Sequence, residues 1–308
     1  MIRLAEVRRF ASQQRIDIAV AAQEVVLTIL LRRIALSDLG QRLAFKGGTA
    51  LRKMVFGAGG RFSEDVDFAC LDLDAELAQL ELLELLENDA LEDDVTVRQA
   101  EAEVAGPGTL QARFTFTSPI GDGRFELDVT SAGRPVLLGT TLKRMATQPY
   151  FAQLGFVLPE ILMVRSVEMA AEKLAAIHRR FENGNPKDVW DLWKWFRQSH
   201  PDEVALVRQL WPARLWLDGA TEPVRWRGPG WIEQLDVRRF NWDRLRPLLP
   251  ATQRLEPGEI VTELKSRLRP WVDEEPDGVL SDVGDGRQRA RHAVETRIEA
   301  VKATVTNG

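Results

Sequence analysis

The stretch FKGGTALRKMVFGAGGRFSEDVDFACL, residues 45–71, holds two aspartates two positions apart, Asp65 and Asp67, behind a glycine pair, Gly47 and Gly48. In an extended chain alternate side chains turn to opposite faces, so both carboxylates share one face while Val66 and Phe68 take the other. Two like charges at that spacing repel, and burial would raise a pKa or demand a counter-charge, so the pair is costly unless a cation sits between its oxygens. A hard divalent ion suits it. Mg2+ takes one or two carboxylates plus waters and substrate phosphates rather than a closed protein cage. The alternative is an edge strand whose polar face meets water. A third carboxylate, Asp128 in RFELDVT, shares its face with Glu126 and Thr130 and alternates with Phe125, Leu127 and Val129. Beside the Asp65 strand it would complete a three-carboxylate cluster for two metals; elsewhere it is a surface position on a half-exposed sheet.

The glycine pair answers a different need. Where a strand ends and a helix begins, unpaired backbone N–H groups and the helix dipole form an anion site, and glycine lets a phosphate approach the backbone. Gly47, Gly48 and the following Thr49 are candidates for that role, although glycine is also the ordinary turn residue. No G-K-[ST] follows, and GAGGRF is not a G-x-G-x-x-G fingerprint. Ser63 stands at the entry to the Asp65 strand as a turn residue, and a phosphate on it would set negative charge beside the carboxylates.

These residues need elements to hold them. IDIAVAAQEVVLTILLRRIAL reads as a long amphipathic helix, LAFKGG as a short strand ending in a turn, and TALRKMVF as a return to helix. The acidic run LDLDAELAQLELLELLENDALEDD has leucines at helical spacing, with carboxylates on a solvated face. VTVRQAEAEV, LQARFTFTS and RFELDVT alternate as strands, separated by AGPG and PIGDG. From RSVEMAAEKLAAIHRRF onward the pattern is mainly helical, and DEEPDGVLSDVGDG, residues 273–286, reads as a flexible linker before a last helix. The expectation is an α+β protein: a mixed sheet with packed helices over 1–160, then a mainly helical domain over 161–308 that completes the active-site cleft.

On a helical wheel Ala170, Leu174, Ile177 and Phe181 form a buried stripe flanked by Lys173 and Arg180. Lys173 can serve a triphosphate or simply snorkel to water. In NGNPKDVWDLW, Asn185 reads as an N-cap, Pro186 as the first helical residue and Asp188 as the third. Asp188 then either complements the helix dipole or holds Lys173 or Arg180 in place. All nine tryptophans lie from Trp190 onward, and the helical spacing of Val189, Trp193 and Phe196 points to core rather than to base stacking.

Composition sets the class. The 308 residues are 44% hydrophobic and 28% charged, as in a soluble globular protein, and no apolar run approaches the ~20 residues of a spanning helix. The amino terminus has no apolar signal core, and a single cysteine, Cys70, allows no internal disulfide, so a reducing cytoplasm is expected. Three scattered histidines and one cysteine argue against a structural zinc site. The net charge of -5 hides a basic middle, with 10 Lys and Arg against 6 Asp and Glu over 132–199. A polyanion would meet a local patch, with modest and salt-sensitive binding.

KGGTALRK, RFSEDVDF, EKLAAIHRR and KDVWDLW, in that order between Phe45 and Trp193, resemble the AbiEii/AbiGii toxin branch of the polymerase-β-like nucleotidyltransferases, which includes the mycobacterial MenT toxins. The resemblance implies a toxin of a toxin–antitoxin system that transfers a nucleoside monophosphate from an NTP with Mg2+, blocking translation by modifying the 3′ end of tRNA. It implies a cognate antitoxin as partner. It also implies Asp65, Asp67, Lys173 and Asp188 as catalytic residues, and Gly47, Gly48, Thr49, Ser63, Lys173 and Arg180 as nucleotide-binding residues. The chain departs from the pattern in the 16 residues between Gly48 and Asp65, where FGAGG lengthens a connection that is usually shorter. A small-molecule or protein hydroxyl is the alternative acceptor, and a non-catalytic nucleotide-binding module the alternative class.

Overall fold

The strand that carries Asp65 and Asp67 stands fourth of seven in its sheet, so the edge-strand alternative falls away. In the computed structural model, which describes residues 2–72, 75–87, 94–106, 109–131, 135–219, 230–272 and 285–306, the first elements are α1 (Leu4–Gln14), α2 (Ile18–Leu36), β1 (Leu43–Lys46), α3 (Gly47–Ala50), β2 (Asp65–Cys70) and α4 (Ala75–Glu87). They are followed by β3 (Thr96–Gly106), β4 (Thr109–Thr117), β5 (Gly123–Thr130), β6 (Thr140–Arg144) and β7 (Glu160–Val164). The sheet order is β3-β4-β5-β2-β1-β7-β6. β2 runs parallel to β5 and β1 parallel to β7, and the other neighbours are antiparallel, giving the mixed sheet expected of the α+β class. TTLKR and EILMV, which form β6 and β7, are absent from the sequence reading because five residues are too few for periodicity to separate strand from helix.

Alternation drives the sheet. Val66 and Phe68 of β2 are buried, as are Phe125, Leu127 and Val129 of β5, and Phe45 lies opposite Phe68 with ring centroids 5.6 Å apart. α2 and α4 pack against this apolar side. α2 begins where the Asp17 side chain accepts the Ala19 N–H at 2.7 Å, a conventional N-cap. It departs from the amphipathic expectation: an unbroken run from Glu24 to Leu31 is buried, so the helix is enclosed on most of its circumference. α4 buries Ala75, Ala78, Leu82 and Leu86 and leaves Leu77 and Leu80 on its outer side.

Two compact units divide the chain, Met1–Val164 with Arg246–Arg254 and Arg165–Leu245 with Leu255–Gly308. In the second, α5 (Ser166–Arg179) packs on α6 (Pro186–Gln198) and α7 (Pro201–Gly219), α8 (Pro257–Val272) packs on α6, and α9 (Asp285–Thr306) packs on α7. α6 starts as its sequence demands, with the Asn185 side-chain Oδ1 accepting the Lys187 N–H at 3.0 Å and Pro186 in the first turn. Ala170, Leu174, Ile177 and Phe181 are buried, and so are Val189, Trp193 and Phe196. Trp190, Trp195, Trp211 and Trp231 are buried too, so these rings build the core of this unit rather than a stacking surface. Of the linker expected at 273–286, residues 273–284 lie outside the described residues.

Candidate active site

The polar face of the sheet carries charged and polar residues in register. Lys46 of β1 lies opposite Asp67 of β2, Asp67 is in register with Asp128 of β5, and Asp128 lies opposite Gln111 of β4. A second row runs from Asp65 to Glu126 and Arg113. Asp65, Asp67 and Asp128 are each half-buried, in contrast to the buried residues that alternate with them. Thus Asp128 does stand beside the Asp65 strand. Gln111 donates to its Oδ1 at 2.8 Å. Burial pushes the Asp128 carboxyl above its ordinary value and the charges of Asp65 and Glu126 add to the rise, while the Gln111 hydrogen bond works against it.

The geometry of the row bears on Mg2+. Among the described residues no three His, Cys, Asp or Glu side chains are grouped to hold one metal ion, so the register neighbours Asp65, Asp67 and Asp128 do not form a closed three-ligand cluster. A pair of half-buried carboxylates on one face is nevertheless the donor set that Mg2+ accepts when phosphates and waters complete its shell. Asp65 and Asp67 therefore fit the ion.

The glycine pair is tied to this row by shape. Gly47 has φ +76°, and a Cβ built on it would lie 2.0 Å from Asp67 Oδ2. Only glycine can turn the chain here and leave the carboxylate in place. Gly47 and Gly48 open a helical run over 47–56 whose last six residues, Leu51–Phe56, form a π-helix, a form that recurs at functional sites. Thr49 is buried and its hydroxyl donates to the Asp65 carbonyl oxygen, which fastens the start of the helix to β2. Gly47→Ala is expected to lower nucleotide transfer roughly 100-fold, because the displaced carboxylate or turn need move only ~1 Å. Steady-state rates of the folded variant check this, and a rate within threefold of the parent, about 0.6 kcal/mol, would show that the contact is dispensable.

Ser63 is buried, with the Arg61 guanidinium 3.4 Å from its hydroxyl. A kinase would reach it only after the preceding loop had opened. The position Ser63 occupies is set from afar, since the neighbouring Phe62 N–H donates to the Leu248 carbonyl at 2.7 Å.

In the second unit the charged residues singled out by sequence do meet. Lys173 Nζ donates to Asp188 Oδ1 at 2.6 Å and lies 3.4 Å from Asp191 Oδ2, while an Arg180 guanidinium nitrogen is 3.9 Å from Asp188 Oδ2. The Lys173 side chain is 15% exposed, too little for a snorkelling surface lysine. Asp191, buried and absent from the sequence reading, belongs to this cluster. Its signal was the three-residue spacing from Asp188, which puts both on one helix face. Arg214, also buried, holds Glu172 at 2.9 Å and so ties α7 to α5, the helix that carries Lys173.

A family model described as nucleotidyl transferase AbiEii toxin, type IV toxin–antitoxin system, matches residues 29–267. The chain belongs to the AbiEii family. Among solved structures, MenT4, a nucleotidyltransferase toxin from Mycobacterium tuberculosis H37Rv, superposes with a TM-score of 0.76 at 25% identity, covering 98% of this chain and 100% of that one. JHP933 from Helicobacter pylori gives a TM-score of 0.45 at 14% identity over 90% of this chain and 97% of its own. No curated protein sequence matches. As an AbiEii member the protein is a nucleotidyltransferase enzyme and a toxin, with an NTP as substrate and an antitoxin as partner. The non-catalytic alternative is thereby set aside. Among the described residues no helix is long and apolar enough to cross a membrane.

Proposed function

We propose that this AbiEii toxin transfers a nucleoside monophosphate from an NTP to the 3′ end of tRNA, with Mg2+ as its cofactor, and so blocks translation in the cytoplasm. The observation that carries the reading is the fit of the Gly47 turn against Asp67, which sets the proposed phosphate-binding turn directly beside the proposed metal pair. In this reading Asp65 and Asp67 are the Mg2+ ligands, and Asp128, in register with Asp67, is a third carboxylate beside them. Bound there, the ion would offset phosphate charge and support the departure of pyrophosphate. The N–H groups of Gly47, Gly48 and Thr49 face phosphate oxygens as the first donors of the helical run. Ser63 shapes the entry to the carboxylate strand. On the second unit, Lys173 offers its ammonium to phosphate, Asp188 orients it, and Arg180 adds a second cation.

The reaction joins the acceptor hydroxyl oxygen to the α-phosphorus and breaks the bond to the bridging oxygen of pyrophosphate in line with it. Total tRNA, Mg2+ and each α-labelled nucleoside triphosphate, incubated separately with the protein, test this directly. Label is expected at the 3′ end of tRNA with one nucleotide preferred. Label on protein or on a small molecule instead would move the assignment to another hydroxyl acceptor within the same enzyme class.

A further inference from the structure

Arg52 and Lys53 follow the glycine turn in the KGGTALRK block, and both are buried, 1% and 0% exposed, together with Glu24 of α2 at 1%. Arg52 donates through Nε to Glu24 Oε1 at 3.1 Å, through one terminal nitrogen to the Gly60 carbonyl, and through the other to Gln148 Oε1 at 3.4 Å. Its guanidinium also lies 3.8 Å above the centre of the Phe62 ring. Lys53 Nζ donates to the Glu24 carbonyl at 3.0 Å and to Thr28 Oγ1 at 2.8 Å, and the Tyr150 hydroxyl donates to Glu24 Oε1 at 3.1 Å. Burial pulls the Lys53 ammonium down to about 8, with the Glu24 charge resisting.

A buried ionic cluster of this kind is seldom a gain in stability over packed apolar side chains; where it has a use, the use is geometric. Here the geometry is specific. Arg52 sits on the helical run opened by Gly47 and Gly48, and its fork reaches the loop of residues 57–64 that delivers Asp65. Gly60 leaves the space for it, since a Cβ at Gly60 would come within 3.1 Å of Arg52 Cα and Cγ. We propose that Arg52 is a positioning residue for nucleotide transfer, its guanidinium setting the distance between the Gly47–Gly48 turn and the Asp65–Asp67 pair. This rests on the reading of those four residues as the nucleotide and metal site.

Arg52→Lys in the full chain is the test. Lysine keeps a positive charge beside Glu24, but one ammonium cannot span Glu24, Gly60 and Gln148 with a planar fork. The expected result is a kcat about 100-fold lower at a KM for the triphosphate changed less than ~3-fold. Amide hydrogen exchange across 57–64 should speed at least ~10-fold, while β4 and α5 exchange as in the parent. An unchanged kcat per folded molecule, or faster exchange spread evenly over the chain, would overturn the proposal by making Arg52 a plain structural residue. Should the variant not fold, exchange in the parent decides: slow exchange over 57–64 supports the clamp, and exchange at the rate of an unstructured peptide removes it. If the parent transfers nucleotide to no acceptor, the proposed site fails, and the exchange data alone judge whether Arg52 fixes the loop.

Discussion

Alanine at Asp65 or at Asp67 is expected to abolish nucleotide transfer in either single variant, without loss of the fold. Each change removes one of the two oxygen donors proposed for Mg2+, and an ion misplaced at the transferring phosphate forfeits several kcal/mol of charge stabilisation, about a thousandfold in rate. The fold survives because both side chains are only half-buried and stand on the polar face, away from Val66 and Phe68. Relief of repulsion between neighbouring carboxylates works in the same direction, so stability should shift by no more than ~0.5 kcal/mol. Label transfer measured beside a thermal melt separates the two effects. Activity retained in either variant would remove the metal pair from the mechanism.

Lys173→Ala is the second large effect, and it should appear in both activity and stability. The ammonium lies between Asp188 and Asp191, whose side chains are 8% and 1% exposed. Removing it takes the shared ammonium from two buried carboxylates, of which Asp188 keeps the Arg180 guanidinium at 3.9 Å, a loss of roughly 3 kcal/mol in stability. It also withdraws the cation proposed for the triphosphate, so transfer should fall by about 100-fold even at a temperature where the variant is fully folded. Arg291→Ala is the control. Arg291 is exposed on α9 and its partner is Glu295 one turn away at 3.0 Å, a pair worth ~0.5 kcal/mol at most. Equal and mild effects in the two variants would remove Lys173 from nucleotide transfer.

How far the sequence spoke depended on how local the cause was. The alternation of Asp65 and Asp67 with Val66 and Phe68 was readable because a strand needs only itself to assign faces. The N-terminus of α6 was readable for the same reason, as Asn185, Pro186 and Asp188 act within one turn. Gly47 was legible as a turn but not as the residue that makes room for Asp67, because that contact exists only once β1 and β2 are in register. The pairing of Asp128 with Asp67 needed a parallel partner 61 positions away, which no spacing rule reveals. Glu24 is the clearest case of hidden meaning. A lone carboxylate amid AVAAQEVVLTILL looks like the wet side of an amphipathic helix, yet it is buried against Arg52 and Lys53, and only the sign of their charges hinted at a match.

The hydrogen bond from Phe62 to Leu248 carries a consequence for how the toxin is made. The first unit is interrupted in the chain: 81 residues of the second, Arg165–Leu245, separate its main body from Arg246–Arg254. Synthesis proceeds from the amino terminus at roughly 5–20 residues per second. A nascent chain therefore owns both aspartates and the glycine turn for roughly 10–35 seconds before it owns the acceptor that steadies the loop between them. Its catalytic unit closes only after Arg254 has been translated, so a product terminated before that point lacks a segment of the unit.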